Sequence, residues 1–507
     1  MKSIIKKLVL IGVLFNVPAL FAQEGLESLR HVSQNSQPAE EGTAFGAVPT
    51  NKISLLNLAP VLAPYLNNGP VFGLPGTKVG KFTEDTQLTG DWGGLRTKLA
   101  KKGLFADVYT TSVYQNVMSA GTAEGSRFIQ NIQVSLNYDT GRGGLWSGGL
   151  FHFTMQGRFG DSAANTFTAG TLQPQYGGLV EPGPLLSHSA YPSEYFLTQA
   201  LNKKTFVILG KISTVFFPDQ TLFGSNYKYN FANFNLIKNP LTTHFYAPDS
   251  LAGLVAVAPA PNLVLAAGVL DPNSTADTAG KKMFDHVNIY ATAIYTQTVK
   301  GKPGQISPAL NWSNAPKIDT ENPFTITSPA QAPVAIAALL DLGEPTGIQT
   351  RFKSTSYFAI VNGSQYITVK DAPGSIAEKM RSGQPLRGIG VYGRLGYAPR
   401  ESNILTRVAS GSVFAHGLAD SRPNDSYGIG YYYNNVSNPL KKDISLLSAG
   451  TTGAKDEQGV EAFYGLALIP SIRLISSYQH IWNPVVAEVT KHVDHSDVFL
   501  LRLTMAF

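Results

Sequence analysis

Apolar and polar residues alternate along much of the chain with a period of two, which predicts β-strands with one apolar and one polar face. Some of these strands reach about ten residues, which suits a tilted membrane crossing better than a soluble sheet. Their apolar faces are rich in Tyr and Phe, often near strand ends, as in the aromatic girdles of outer-membrane barrels. The clearest segments are Ile132–Tyr138, Phe151–Phe159, Ile389–Tyr397, Tyr427–Tyr433 and Phe499–Phe507.

The number of such segments indicates the fold class. We expect an all-β protein, a transmembrane antiparallel β-barrel of about twelve to fifteen strands. A soluble all-β array is the alternative. Short turns alternate with long polar segments such as 162–193 and 300–347, and outer-membrane barrels show the same asymmetry of turns and loops.

One short segment, "LTGDWGGLRTKLAKKGL" (residues 88–104), departs from this period and predicts a helix of about twelve residues. Leu95 and Leu99 lie one turn apart, Asp91 suits the N-cap and Gly103 suits the C-terminal stop. We expect this helix at the periplasmic mouth of the barrel or inside its wall.

The contacts of this helix can also be predicted. Trp92 and Leu95 are expected to pack against strands. Arg96 points about 100° away from Leu95 and is a candidate for the lumen. The alternative is that the helix only stiffens the barrel.

The N-terminus divides the chain into three parts. Basic residues at Lys2, Lys6 and Lys7, an apolar run and small Ala22 predict a secretory signal peptide over residues 1–22. Residues 23–87, rich in Gly, Pro, Asn and Ser, are expected to form a tether or partly ordered segment. Residues 88–507 are expected to form the barrel.

Composition narrows the class of protein. Charged residues make up only 15% of the 507 residues, against about 25% in soluble proteins. Beyond the signal peptide no run approaches the roughly 20 apolar residues of a membrane helix. The net charge of +6 includes three lysines of the signal peptide, so little is left to bind nucleic acid. The chain has no cysteine, so an exported form relies on other stabilisation, such as a closed sheet.

If the apolar faces meet lipid, the opposite faces line a polar lumen with several arginines and few acids. Such groups can replace water around hydroxyl groups without holding a solute tightly. For each residue, the alternative is a solvated wall position or a strut across the lumen. The residues predicted to face inward are Asn131, Gln133, Ser135, His152, Gln156, Arg158, Arg394, Glu461, Arg473, Gln479 and Arg502.

Three short motifs point to other chemistry and carry little weight. "GIGVYG" (388–393) matches a dinucleotide fingerprint but lies in an alternating strand with no helix after it. "KHVDHSD" (491–497) offers His492, Asp494 and His495 to a cation, but as part of a loop without a distant ligand. No cofactor or metal is therefore expected.

An enzyme is the third motif-based alternative. "LSHSAYPSEY" places Ser187, His188, Ser189 and Glu194 close together in sequence. Proximity on one loop is not a catalytic triad, and the chain shows no G-x-S-x-G or other catalytic signature. We therefore expect no enzymatic activity.

Several segments resemble the carbohydrate-selective outer-membrane porins of the OprB type. They are "LTGDWGGLRTKLAKKGL", "GVYGRLGYAPRESN" (390–403), "SRPNDSYGIGYYYNNVS" (421–437) and "EAFYGLALIPSIRLISSYQHIWNP" (461–484). The likeness runs over residues 88–507. It implies a sixteen-stranded barrel in the outer membrane of a Gram-negative bacterium that passes mono- or small oligosaccharides by passive diffusion. The last strand, ending at Phe507, resembles the signal read by the barrel-insertion machinery.

Other functions stay open at this stage. The excess of inward arginine over acid suits a general or anion-preferring pore. A barrel enzyme and a plugged structural barrel are further alternatives. Outer-membrane lipid is an expected partner, and the sequence leaves open whether the chain forms a homo-oligomer.

Overall fold

The computed structural model describes residues 71–74, 76–160, 169–177, 188–214, 226–275, 282–340, 342–381 and 384–507. These residues belong to one compact unit, Gly42–Phe507. The predicted signal peptide and the predicted tether up to residue 70 lie outside the described residues. Within the described ranges, no helix is long and apolar enough to cross a membrane.

Sixteen antiparallel strands pair in chain order and close into a barrel, because β1 pairs with β20. Four two-residue strands form two further pairs in the connection between β9 and β14: β10 (Lys317–Ile318) pairs with β13 (Phe352–Lys353), and β11 (Phe324–Thr325) pairs with β12 (Gln349–Thr350). The barrel strands are β1 (Leu104–Ala120), β2 (Gly125–Asp139), β3 (Gly149–Gly160), β4 (His188–Ala200), β5 (Thr205–Ser213), β6 (Asp249–Ala260), β7 (Leu263–Leu270), β8 (Asn288–Val299), β9 (Lys302–Ser313), β14 (Ser356–Val369), β15 (Gly388–Tyr397), β16 (Leu405–His416), β17 (Ser426–Val436), β18 (Glu457–Ile469), β19 (Ile472–Trp482) and β20 (His495–Ala506).

The predicted barrel is confirmed, and sixteen strands agree with the number that the family resemblance implies. Our estimate from alternation alone was too low. In β6 and β7 the inward positions are apolar as well, for example Leu254 and Leu270. These strands therefore lack the alternation that marks the others.

The alternation has the predicted sense. In β2 the apolar Val134 and Leu136 are exposed on the outer surface, whereas the alternating polar residues Gln133 and Ser135 are buried inside. A closed sheet pairs every strand, so no backbone edge is left in contact with lipid.

The two ends of the barrel differ. Short turns at 201–204, 261–262, 300–301 and 470–471 lie at the end where β1 begins and β20 ends. The longer connections, such as 214–248 and 314–355, lie at the opposite end. In outer-membrane barrels the short turns are periplasmic and the long loops extracellular. The end that holds the start of β1 is therefore periplasmic.

The long loop predicted over 300–347 is wrong in its first part. Residues Lys300 and Gly301 form a hairpin turn and Lys302–Ser313 form β9. Its prolines suggested a loop, but its side chains alternate, with Ile306 outside and Ser307 inside. Pro308 lacks an N–H, and the β8–β9 pairing skips this position. The long connection is 314–355.

The helices in the described part of the chain are short and lie at the ends of the barrel or inside it. They are α1 (Leu95–Lys101), α2 (Phe234–Ile237), α3 (Ala332–Leu339), α4 (Pro373–Arg381), α5 (Asn438–Leu447) and α6 (Val485–Lys491). The same ranges hold three 3₁₀ turns, Trp92–Gly94, Pro240–His244 and Pro329–Gln331.

The opening helix is shorter than predicted. Gly93 and Gly94 adopt left-handed φ angles of 66° and 91° directly before it, so α1 has only seven residues. Gly94 occupies the N-cap position that we assigned to Asp91. The Asp91 carboxylate still accepts a hydrogen bond from the backbone N–H of Thr97 at 2.7 Å. It therefore satisfies one of the free N–H groups of the first turn.

The predicted packing of Trp92 and Leu95 against strands is wrong. Both side chains are exposed, and Arg96 and Ala100 form the buried side of α1 instead. The two left-handed glycines directly before α1 delay its start to Leu95, so its first turn differs from the one we predicted.

The opening helix packs into an apolar cluster at the periplasmic end of the barrel. Val71 and Leu74, from the segment before the helix, pack with Ala100 of α1 and with the wall residues Phe105 and Leu150. Gly73 lies between them at a φ of 90°, and a Cβ there would be 2.7 Å from the Cβ of Ala100. The close approach of these two segments thus requires glycine.

Candidate functional site

Two connections fold from the extracellular end into the barrel. We call residues 169–177 the first inward loop and residues 226–248 the second inward loop. All ten residues from 231 to 240 are buried. The tip of the second loop, Asn226–Asn230, reaches Thr504, which lies two residues before the end of β20. The Thr504 hydroxyl donates to the carbonyl of Lys228 at 3.0 Å. The second inward loop therefore occupies the middle of the barrel.

Arg394 of β15 binds the C-terminal end of α2, which is the single turn within this loop. Its guanidinium donates to the carbonyls of Leu236 at 2.7 Å and Ile237 at 2.9 Å. The Tyr392 hydroxyl also donates to the carbonyl of Leu236. The last carbonyls of a helix lack partners within it, so a cation is favourable at this end.

Glu461 of β18 binds the opposite end of α2. Its two carboxylate oxygens accept from the backbone N–H groups of Ala232 and Asn233, both at 2.7 Å. Asn233 is the N-cap of α2 and accepts from the N–H of Asn235 at 3.0 Å. The wall thus places an acid at the start of α2 and an arginine at its end, which matches the polarity of the turn.

Arg502 of β20 holds the tip of the second inward loop. It is buried, and its guanidinium donates to the carbonyls of Tyr227 and, at 2.6 Å, Asn230. Two strands away on the same side of the wall, the Lys228 ammonium donates to the side-chain oxygen of Gln133 on β2. The tip is therefore held by two nearby strands of the barrel.

Gln479 of β19 connects the two inward loops. Its side chain accepts from the Asn233 amide at 3.0 Å and donates to the carbonyl of Gln175 at 2.8 Å. Glu457 accepts from the N–H of Leu172 at 3.0 Å and so holds the first loop. These polar wall residues serve the loops rather than open solvent.

The remaining predicted residues of β2 and β3 lie on the inner wall and are buried. His152 shares hydrogen bonds with Asn137 at 2.6 Å and Thr154 at 2.8 Å, and its ring stacks on Phe196 at 4.6 Å. Ser135 lies 3.0 Å from the Thr154 hydroxyl. Buried inner-wall positions are also held by Asn131, Gln156 and Arg158.

Arg96 lies inside the periplasmic rim and not in open solvent. It forms an ion pair with Asp107 of β1 at 2.9 Å and donates to the carbonyl of Ala106 at 2.6 Å. Its guanidinium lies 4.1 Å from the centre of the Phe72 ring. Burial lowers the pKa of Arg96, and the charge of Asp107 opposes this shift.

Arg473 of β19 differs from the other inward arginines because it is only partly buried. It donates to the carbonyl of Asn424 at 2.7 Å, at the periplasmic end of the barrel. Its guanidinium lies 5.6 Å from the centre of the Tyr229 ring.

The sequence analysis missed the second inward loop, because it carries no alternating pattern. Its signal was present in "NFANFNLIKNPL", in which Asn233 and Asn239 each precede a helical turn. Both asparagines act as N-caps, and Pro240 follows the second, as is common at the first position of a helix. Nothing in the local sequence indicates that these turns lie inside a barrel.

The motifs that pointed to other chemistry have structural roles. "GIGVYG" lies within β15, as expected. His492 follows the end of α6, and His495 begins β20. Across the residues that the structure describes, no group of three or more His, Cys, Asp or Glu side chains is arranged to hold a metal ion.

The residues of the hydrolase alternative are only partly described. Ser187 lies outside the described residues, as do the side chains of His188 and Ser189. Glu194 faces the interior and accepts from the backbone N–H of Ser213 at 3.2 Å. It therefore stabilises the adjacent strand β5.

Solved structures share this fold. A high-pH structure of Pseudomonas putida OprB aligns with a TM-score of 0.68 and 17% identity, covering 84% of this chain and 100% of the other. The low-pH structure of the same protein aligns with a TM-score of 0.50 and 13% identity, covering 84% of this chain and 99% of the other. A search of curated proteins gave no match.

The family is shown by sequence. The model of the family described as "Carbohydrate-selective porin, OprB family" matches residues 123–507, well over half of the chain. Family and fold together indicate a channel rather than an enzyme. The chain therefore belongs to the OprB family of carbohydrate-selective porins and is an outer-membrane barrel of a Gram-negative bacterium.

Proposed function

We propose that small sugars diffuse passively past the second inward loop, and that this loop sets the width of the pore. The wall residues Arg394, Glu461 and Arg502 then act on selectivity by holding the loop. The observation that carries the proposal is that all three are buried and use their charge on backbone groups of this loop.

The energies agree with an anchoring role. A hydrogen bond to a charged group contributes about 1.5–3 kcal/mol, and each anchor makes two. A charged side chain that is buried and bonded to the loop has little left to offer to a passing solute. The sugar therefore meets a wall and a loop of fixed shape, which favours discrimination by size and by hydroxyl content.

A liposome-swelling assay on the purified protein tests this function. It compares glucose, a disaccharide and an amino acid of similar size to glucose. Faster entry of glucose than of the amino acid supports sugar selectivity. Entry ranked by size alone indicates a general pore, and no swelling indicates a plugged barrel.

An anion-preferring pore is the second candidate, because one feature of the site favours it. Arg394 and Arg502 donate to uncharged carbonyls. Among the described residues, Glu461 is the acid whose charge acts on Arg502. It also accepts from two backbone N–H groups of the loop, so it compensates the positive charge of Arg502 only in part. The reversal potential of the reconstituted channel in a salt gradient distinguishes the two functions, since an anion-preferring pore shifts it towards the chloride potential.

We also propose the roles that the sequence assigned to the rest of the chain. Residues 1–22 act as a cleaved signal peptide, 23–87 as a tether and 88–507 as the pore domain without enzymatic activity. Outer-membrane lipid covers the aromatic outer face, and a homo-oligomer is a further arrangement to test. The backbone N–H of Phe507 donates to Val108 at 2.8 Å, beside the last ladder, which supports Phe507 as the insertion signal. Deleting Phe507 should lower the yield of inserted barrel.

A further inference from the structure

We propose a sugar-binding subsite on the periplasmic side of the second inward loop, formed by Arg473, Tyr229 and Asn230. The inference rests on the proposed function in so far as the solute is a sugar. It adds a place where that solute pauses before it leaves the pore.

The first observation is the contrast between the inward arginines. Arg394 and Arg502 are almost completely buried and spend both terminal nitrogens on the loop. Arg473 is partly exposed, and its single hydrogen bond within the described part of the chain uses one terminal nitrogen. Its other terminal nitrogen and Nε therefore remain available as donors.

The second observation is the position of Arg473. It pairs with Thr504 of β20 and Ala467 of β18, which are buried inward positions. It is the second residue of β19 and thus lies at the periplasmic end. The bond to the Asn424 carbonyl fixes the guanidinium to the turn between β16 and β17.

The third observation is the pair of residues that the loop tip presents to this arginine. Tyr229 and Asn230 are partly exposed, unlike the residues that follow them. The Tyr229 ring lies 5.6 Å from the Arg473 guanidinium, and Ser426 donates to the Tyr229 carbonyl at 3.4 Å. Among the described residues, neither the Tyr229 hydroxyl nor the Asn230 amide has a hydrogen-bond partner.

These groups suit a neutral polyol. The free guanidinium nitrogens are donors, and the tyrosine hydroxyl and the amide can both donate and accept. Neighbouring sugar hydroxyl groups have the same dual capacity, and the tyrosine ring offers an apolar face to the C–H groups of the sugar. Because the site is partly open to water, its contacts exchange readily, and a pore requires binding weak enough for release.

The test measures the block of ion current by glucose through the full-length protein in a planar bilayer. Arg473→Gln should raise the half-blocking glucose concentration about tenfold, because it removes a charged donor. Tyr229→Phe should raise it about threefold, since it removes one neutral hydroxyl. Arg407→Gln is the matched control, because Arg407 is exposed on the outer face of β16 and should leave the block unchanged.

Folding is verified by the heat-dependent shift of the barrel on a gel. If Arg473→Gln does not fold, Tyr229→Phe and Asn230→Ala carry the test. An unchanged half-blocking concentration in folded subsite variants overturns the subsite, even where the wild type conducts and admits sugar. A wild type that neither conducts nor swells liposomes overturns the proposed function instead.

Discussion

Arg394→Gln tests whether the wall arginines act through the second inward loop. The guanidinium makes two charged hydrogen bonds, to Leu236 and Ile237, and the Tyr392 hydroxyl keeps only the first of these carbonyls partnered. Each bond is worth about 1.5–3 kcal/mol. Losing both bonds weakens the attachment of the loop to the wall by about 3 kcal/mol or more. The equilibrium constant for detachment of the loop then rises about a hundredfold.

Two measurements follow this loosening. Hydrogen exchange in residues 226–248 should accelerate, whereas exchange in the barrel strands should not. In liposome swelling, the ratio of disaccharide entry to glucose entry should increase, because a mobile loop discriminates less by size. Arg407→Gln, on the outer face, should leave both unchanged. Slower sugar entry with unchanged exchange in a folded variant would refute the reasoning, since Arg394 would then contact the sugar itself.

The remaining predictions concern other charged groups. Glu461→Gln should accelerate amide exchange at Ala232 and Asn233 by removing a charged acceptor, which mass spectrometry can follow; unchanged exchange contradicts the anchoring role. Arg96→Met should lower the free energy of unfolding of the barrel in urea by about 3–5 kcal/mol, because the buried Asp107 carboxylate loses its ion-pair partner and keeps neutral donors such as the N–H of Phe72. Adding Asp107→Asn should recover part of this loss, and strictly additive losses would contradict the coupling. Burial raises the pKa of Asp443 on α5 to about 6, whereas its pKa in the unfolded chain is near 4. Protonation of Asp443 therefore stabilises the folded state fully below pH 4, and this stabilisation is lost as the pH rises through 6. Asp443→Asn should therefore raise the melting temperature relative to wild type at pH 7 but not at pH 4, and an equal effect at both values contradicts the assignment.

Much of the wall could be predicted from sequence, because the lipid imposes a simple rule on each strand. In β2 and β15 the alternation gives the side of every residue, and the polar lumen follows. The rule fails in β6 and β7, where the interior is also apolar. It was overlooked in β9, because its prolines obscure the pattern.

The contents of the barrel could not be predicted in the same way. Arg394 lies 158 residues from Leu236 in sequence, and no local pattern connects them. The sequence indicates that an arginine faces inward, but its partner depends on where a distant loop comes to rest. The prediction of the opening helix was wrong for a local reason, because the effect of Gly93 and Gly94 on the start of the helix was not anticipated.

The attachment of the second inward loop has a consequence for the order of assembly. The loop connects β5 and β6, but its anchors lie on β15, β18 and β20. Arg502 belongs to the last strand, so the tip of the loop, which Gln133 of β2 can hold earlier, acquires its contacts to Arg502 and Thr504 only when β20 joins the wall. Closure of the wall and completion of the pore are therefore a single event, and an unfinished barrel lacks the filter that the finished one contains.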